Sequence, residues 1–221
     1  MVSVPCLSLA TRSVRGTIEI AGTLYGVSMR DDGVSQVCST RQWYAKSMEL
    51  DLDIRFTICF CVCGDLVLLL HRRKPPHQSR WNGIGGKIEP GESPRAGVRR
   101  EVAEEAGIDL ARAAGVRFAG VVSWRFTDRP TIPPTGMYAF VATFDEDWPV
   151  WTGRRPTPEG DVAWQTISWA CDPANALVVE NIPHFLPAML RPGTPMLHAC
   201  TYEDGKLLGV EVQALPAETS L

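Results

Sequence analysis

The stretch Gly86–Ile108, GKIEPGESPRAGVRREVAEEAGI, sets Glu101, Glu104 and Glu105 into one short helix directly after a glycine- and proline-containing loop. Ser93-Pro94 has the form of an N-cap followed by proline at the first helical position, so the helix is predicted from Pro94 to about Ala106, ending at Gly107. On that helix Glu101 lies three residues before Glu104 and four before Glu105, and the side chains project to overlapping faces. Like charges at that spacing cost roughly a few tenths of a kcal/mol per pair, which something must offset. Val98, Val102 and Ala106 recur on a neighbouring face that would dock on a sheet, so the acids are expected on the rim and not in the core. Arg99 and Arg100 could simply pair with them on a wet surface. The tight loop upstream, however, can bring a backbone carbonyl beside the carboxylates, and hard divalent cations such as Mg²⁺ take oxygen ligands, commonly carboxylates together with substrate phosphates.

Outward from the helix, Ile54–Cys63, a Gly64-Asp65 turn and Leu66–Leu70 read as a hairpin. A polar loop, residues 72–80, leads to Trp81–Gly86. Val116–Trp124, Met137–Phe144 and Val162–Ser168 are predicted strands, Asn181–Leu190 a short helix, and Pro195–Cys200 with Gly209–Ala214 a closing hairpin around Asp204-Gly205. Strands with a few separated helices and no regular βαβ alternation predict an α+β sandwich on a mixed sheet. Residues 1–47 are poorly patterned, although Gly16–Gly22 and Thr23–Val27 can form a small hairpin. They are expected to be either an N-terminal extension or the product of a start assigned upstream of Met48, with the main domain over 48–221.

At 221 residues, 45% hydrophobic and 21% charged, the chain has room for one globular domain and an appendage. A net charge of −3 gives no global basic field, so duplex nucleic acid is not expected as a partner. The basic run His71-Arg72-Arg73-Lys74 reads as a solvated loop. Seven cysteines without a disulfide-like spacing fit a reducing, cytoplasmic compartment. Cys59, Cys61 and Cys63 share one face of a strand, a poor zinc spacing, and are expected as buried thiols. No apolar run approaches the roughly 20 residues of a membrane span, and no secretory signal opens the chain. Nothing in the pattern specifies an oligomeric state.

Gly86, five residues, Glu92, seven residues, Arg100-Glu101-Val102, one residue, Glu104-Glu105, one residue, Gly107-Ile108 is a spacing that resembles the Nudix box at every defined position. By this resemblance the chain is identified as a member of the Nudix hydrolase family. The resemblance implies a Nudix α/β/α sandwich with a mixed β-sheet, and Mg²⁺- or Mn²⁺-dependent attack of water on a diphosphate linked to another moiety. It implies Glu101 and Glu105 as the main metal ligands, Glu104 close by, the Gly86 carbonyl as a backbone ligand, and Glu101 or Glu104 as the general base. Glu92 and Arg100 would form a supporting ion pair. A further acid often joins such clusters from a later loop; Glu159 in Pro156-Thr-Pro-Glu-Gly160 is the candidate, a plain surface glutamate the competing reading.

Arg80-Trp-Asn-Gly-Ile-Gly-Gly-Lys87 resembles the RWNGxGGK segment of MutT-like, mammalian-type 8-oxo-dGTP diphosphatases. The resemblance places Asn82 and Lys87 at the substrate, Asn82 as an amide able to read a purine edge. Alternatively Asn82 caps a turn beside Gly83. The chain departs from that group at Val179, Glu180 and Asn181, where those relatives carry a tryptophan and two aspartates; Asn181 then offers a different hydrogen-bond set. The hairpin from Leu197-His-Ala-Cys200 resembles theirs. The first expectation is a purine nucleoside triphosphate, oxidised ones such as 8-oxo-dGTP included, cleaved to monophosphate and pyrophosphate. The second is a nucleoside diphosphate-sugar of the ADP-ribose type, whose hydrolases carry a proline where this chain has Ser123. Dinucleoside polyphosphate hydrolases carry a tyrosine near the same place, where this chain has Trp124. The third is a nucleotide sensor without catalysis, which the intact glutamates oppose. Trp124, Trp148, Trp151 and Trp164 read as packing residues first, with Trp124 and Phe126 on a strand that can face the nucleotide. His71 and His184 read as structural.

Overall fold

The computed structural model describes residues 15–20, 23–28 and 52–215, and the chain divides into two compact units, Met1–Asp51 and Leu52–Leu221. In the first unit, β1 (Arg15–Ile20) pairs antiparallel with β2 (Thr23–Ser28), Ile18 opposite Tyr25. Met48 lies outside the described residues.

In the second unit nine strands form one sheet: β3 (Asp53–Cys63), β4 (Leu66–Arg72), β5 (Trp81–Asn82), β6 (Gly115–Phe126), β7 (Thr135–Phe144), β8 (Arg155–Pro156), β9 (Gly160–Thr166), β10 (Met196–Glu203) and β11 (Lys206–Ala214). Their order is β11-β10-β6-β7-β3-β4-β9-β8, with β5 alongside β4. The sheet is mixed: β3 with β7 and β6 with β10 run parallel, the other pairs antiparallel. Among the described residues three α-helices, α1 (Pro94–Ala106), the single turn α2 (Ile167–Ala170) and α3 (Ile182–Leu190), and a 3-10 turn at Leu110–Arg112 complete the unit.

The period of two along the strands sorts the core onto two faces. Ile58 and Phe60 of β3, Val67 and Leu69 of β4 and Val141 of β7 cluster with Phe185 and Leu186 of α3. The alternate residues Cys59, Cys61, Leu68, Leu70 and Phe140 are equally buried on the opposite face, where α1 packs on β3 through its buried Val98 and Val102. Each such large side chain removed from water contributes about 1.5–3 kcal/mol. The result is the α/β/α sandwich expected from the sequence. Cys59, Cys61 and Cys63 are buried free thiols, Cys59 and Cys61 with sulfurs 4.0 Å apart.

The caps of α1 are those the sequence announces. Ser93 Oγ accepts from the Ala96 N–H at 3.1 Å, and Gly107 adopts φ 67° while its N–H bonds the Ala103 carbonyl. Elsewhere boundaries shift for local reasons. The predicted strand to Ser168 stops at Thr166, whose hydroxyl accepts from the Trp169 N–H at 3.3 Å and turns the chain into α2. Asn181 precedes α3 at its N-cap, without a side-chain capping bond. Among the described residues no helix is long and apolar enough to cross a membrane.

Candidate active site

Where β4 diverges from the N-terminal half of β3, the segment 84–88 takes its place. Ile84 and Cys59 exchange backbone bonds of 2.6 and 3.1 Å, the Thr57 N–H donates to the Gly86 carbonyl at 2.8 Å and the Ile88 N–H to the Arg55 carbonyl at 2.8 Å. This close approach requires glycine. A Cβ on Gly85 would stand 2.2 Å from the Thr57 carbonyl oxygen, and one on Gly86 would stand 2.5 Å from Glu101 Oε1. The missing side chains thus bring backbone against β3 and a carboxylate against backbone.

The three acids on α1 occupy three environments. Glu105 is 6% exposed, and its Oε2 accepts from the Gly85 N–H at 3.0 Å. It therefore departs from the expectation that all three line the rim: the helix is rolled toward the sheet far enough to bury this carboxylate beside Val98 and Val102. Burial pushes its pKa up to about 7, the charges of Glu101 and Glu159 adding to the rise and the Gly85 N–H and Arg72 opposing it. Glu101 lies half-buried against Gly86, and burial raises its pKa as well, opposed by Arg100. Glu104 has 60% of its side chain exposed.

Arg100 organises the acids. Its Nε and Nη2 fork onto the two oxygens of Glu92, each at 3.0 Å, and Nη2 also donates to the Lys87 carbonyl at 3.0 Å. Nη1 reaches Glu101 at 2.9 Å and Glu104 at 3.2 Å. The guanidinium hydrogen bonds hold the Glu92 carboxyl below its usual range, aided by the Glu89 N–H, and those same contacts push Arg100 further up. One planar donor fork therefore ties loop 87–92 to the helix and aligns two further carboxylates.

These groups open into a cavity of about 890 Å³. Gly86, Glu101, Glu104, Glu105 and Glu159 line it. Glu159 also lies 3.6 Å from Lys74 Nζ. Asn82, Asn181, Trp124, Phe126 and Tyr202 line it too, as does the exposed Lys87. Asn82 Oδ1 accepts from the Gly83 N–H at 2.9 Å, as its turn reading expects, and the residue lines the cavity. Asn181 is buried with Nδ2 4.0 Å from Cys200 Sγ. The other tryptophans are packing residues: Trp148 lies 4.3 Å from the Phe144 ring, and Trp151 5.6 Å from Trp164. His71 packs on Trp81 and His184 is exposed.

Sequence reasoning missed Thr57, Arg72, His77, Arg80 and Tyr202, all of which line the cavity. The basic run is divided: Arg73 and Lys74 are solvated and pair with Asp161 and Glu159, whereas Arg72 turns inward. The alternation of Tyr202 in its strand was the one local signal. Arg80 and Glu180, 2.5 Å apart across 100 residues, offered none.

The donor set suits a hard divalent cation. Glu101 and Glu105 are held near one another out of water, where two carboxylates repel, and the Gly86 carbonyl, already accepting one hydrogen bond, retains a second lone pair. Among the described residues no three His, Cys, Asp or Glu side chains already close on one point; Arg100 engages Glu101 Oε1 and the Gly85 N–H engages Glu105 Oε2.

Residues 53–188 match the NUDIX domain family. The chain is 31% identical over 147 residues, 65% of its length and 83% of the relative's, to the uncharacterized Nudix hydrolase YvcI of Bacillus subtilis. It is 31% identical over 77 residues to the oxidized purine nucleoside triphosphate hydrolase of Mus musculus, covering 35% of this chain and 47% of that relative. It thus spans under half of the mouse protein's length. Among solved structures it is similar to the MutT protein of Bacillus halodurans, with a TM-score of 0.53, 27% identity, and 72% of this chain and 96% of that one covered.

Proposed function

This chain belongs to the NUDIX family and is a pyrophosphohydrolase, and on that premise we propose that it cleaves purine nucleoside triphosphates, oxidised ones such as 8-oxo-dGTP among them, to a nucleoside monophosphate and pyrophosphate. One observation carries this reading: one cavity is lined both by the carboxylates of α1 and by aromatic and amide groups, the two chemistries that a nucleotide's phosphates and base call for. The mouse relative's name, an oxidized purine nucleoside triphosphate hydrolase, supports the base class.

Glu101, Glu105 and the Gly86 carbonyl would hold Mg²⁺, or Mn²⁺ in its place, with Glu104 and Glu159 at the margin. Bound there, the cation would neutralise the diphosphate and acidify a water molecule. The chain's own groups do the rest. Arg100 keeps Glu101 and Glu104 aligned, the Gly85 N–H orients Glu105, and Glu101 or Glu104 takes the proton from the attacking water. Trp124 and Phe126 offer the base a π-face, and Asn82 and Asn181 its polar edge. The free buried thiols support a reducing, cytoplasmic setting.

A panel of 8-oxo-dGTP, dGTP, ADP-ribose and a dinucleoside polyphosphate, each with Mg²⁺ and product analysis, tests this. Monophosphate plus pyrophosphate from the triphosphates is the expected result; turnover of ADP-ribose alone would refute the substrate class. Tight binding without turnover would instead make the chain a sensor.

A further inference from the structure

Glu180 and Arg80 both line the cavity, and Arg80 Nη1 donates to Glu180 Oε2 at 2.5 Å. The bond joins two segments already laid side by side. The Trp81 N–H donates to the Leu177 carbonyl at 2.8 Å, and the Val179 N–H returns to the Trp81 carbonyl at 3.0 Å. Arg80 is itself anchored at both backbone groups, its carbonyl accepting from Arg72 N–H at 3.0 Å and its N–H donating to the His77 carbonyl at 3.1 Å. The guanidinium thus grows from a fixed point, whereas Glu180 belongs to the chain that leads into α3 next to Asn181.

We propose that Arg80 is a positioning residue for base recognition: it holds Glu180 so that the carboxylate's second oxygen, Oε1, accepts an N–H from the edge of the bound base. This inference rests on the nucleotide reading of the cavity. An unpaired glutamate there would be a mobile, long side chain carrying a full negative charge into a site for a polyanion. Paired to Arg80 it is neutralised and confined to one rotamer family, and only Oε2 is engaged among the described residues, which leaves Oε1 as an acceptor. Asn82 lines the same cavity, and with its carbonyl engaged by the Gly83 N–H its amide nitrogen is the group left to donate. Acceptor and donor together match a base edge that carries an N–H beside a carbonyl, as 6-oxopurines do.

The test is steady-state kinetics of the full chain on dGTP, 8-oxo-dGTP and methyl triphosphate, which has the phosphates and no base. Arg80→Ala and Glu180→Gln are each expected to raise KM for the purine triphosphates about tenfold, with kcat within about twofold, the loss of one charge-assisted hydrogen bond. Turnover of methyl triphosphate is expected to be unchanged in Glu180→Gln and to fall less than that of the purine triphosphates in Arg80→Ala, which leaves the glutamate's charge unpaired; Arg80→Lys is expected to recover part of the loss, and the double variant to be no worse than either single one. Equal losses on methyl triphosphate, additive losses in the double variant or unchanged KM in both single variants would overturn the inference while leaving the nucleotide reading intact. Wild-type protein inert toward both purine triphosphates would overturn the two together. Thermal unfolding of every variant shows that it is folded, and Glu180→Gln, nearly isosteric, serves if Arg80→Ala does not fold.

Discussion

At the scale of single residues, the proposed chemistry depends on a carboxylate kept where a carboxylate is unwelcome. Glu105 loses most of its hydration to the docking of α1, and one N–H from Gly85 compensates in part. Glu105→Gln removes the buried charge and keeps the shape. Pyrophosphate release is expected to fall at least about a hundredfold, while melting in the absence of metal stays the same or rises, and the rise in melting temperature with Mg²⁺ expected of the wild type is lost. Activity near wild type in that variant would remove Glu105 from the site. Gly86→Ala is expected to lose activity as well, since a Cβ 2.5 Å from Glu101 Oε1 must displace that carboxylate. The three acids were legible from their spacing because helical geometry fixes relative angles. How deeply Glu105 is buried was not, because spacing says nothing about how far a helix rolls toward its sheet. The Arg80–Glu180 contact was invisible for another reason: its partners meet only through the fold.

At the scale of elements, α1 and the loop before it behave as one piece because Arg100 clamps both. Only 25% of the Arg100 side chain and 14% of that of Glu92 are exposed, and Arg100 contacts three carboxylates and a carbonyl. Arg100→Ala is expected to lower unfolding free energy by about 1–3 kcal/mol in urea titrations and to reduce kcat through the released Glu101 and Glu104. Arg100→Lys, which cannot fork onto Glu92, should recover only part of either. A loss of stability without any loss of turnover would confine Arg100 to a scaffolding role. The helix itself was legible to the residue, since Ser93, Pro94 and Gly107 each answer a specific need of a helix end. Two-residue strands such as β5 and β8 were not, being too short to show alternation.

At the scale of the molecule, the sheet is a set of non-local pairings that the strand patterns left open. The parallel partnership of β3 with β7, and of β6 with β10, joins segments separated by helices and loops; hydrophobic alternation identifies strands but not their neighbours. The fold also buries His198 completely, with neither ring nitrogen hydrogen-bonded, and burial lowers its pKa to about 4. In the unfolded chain the same group titrates near 6.5, so the unfolded state binds more protons in between. Stability is therefore fully present above about pH 6.5 and lost as pH falls toward 4. Between pH 7.5 and pH 5 this single group is expected to cost about 2 kcal/mol, opposite in sign to the contribution of the raised Glu105, so it is read as the change across that range in the stability difference between wild type and His198→Leu. The central claim is that the glutamates of α1 hold a divalent cation against a nucleotide's phosphates. Its most direct test is electron paramagnetic resonance titration of Mn²⁺ into wild type, Glu101→Gln and Glu105→Gln, each with a nonhydrolysable nucleoside triphosphate. The account predicts a bound Mn²⁺ signal, tightened by nucleotide in the wild type and lost in both variants; equal Mn²⁺ binding by all three proteins would contradict it.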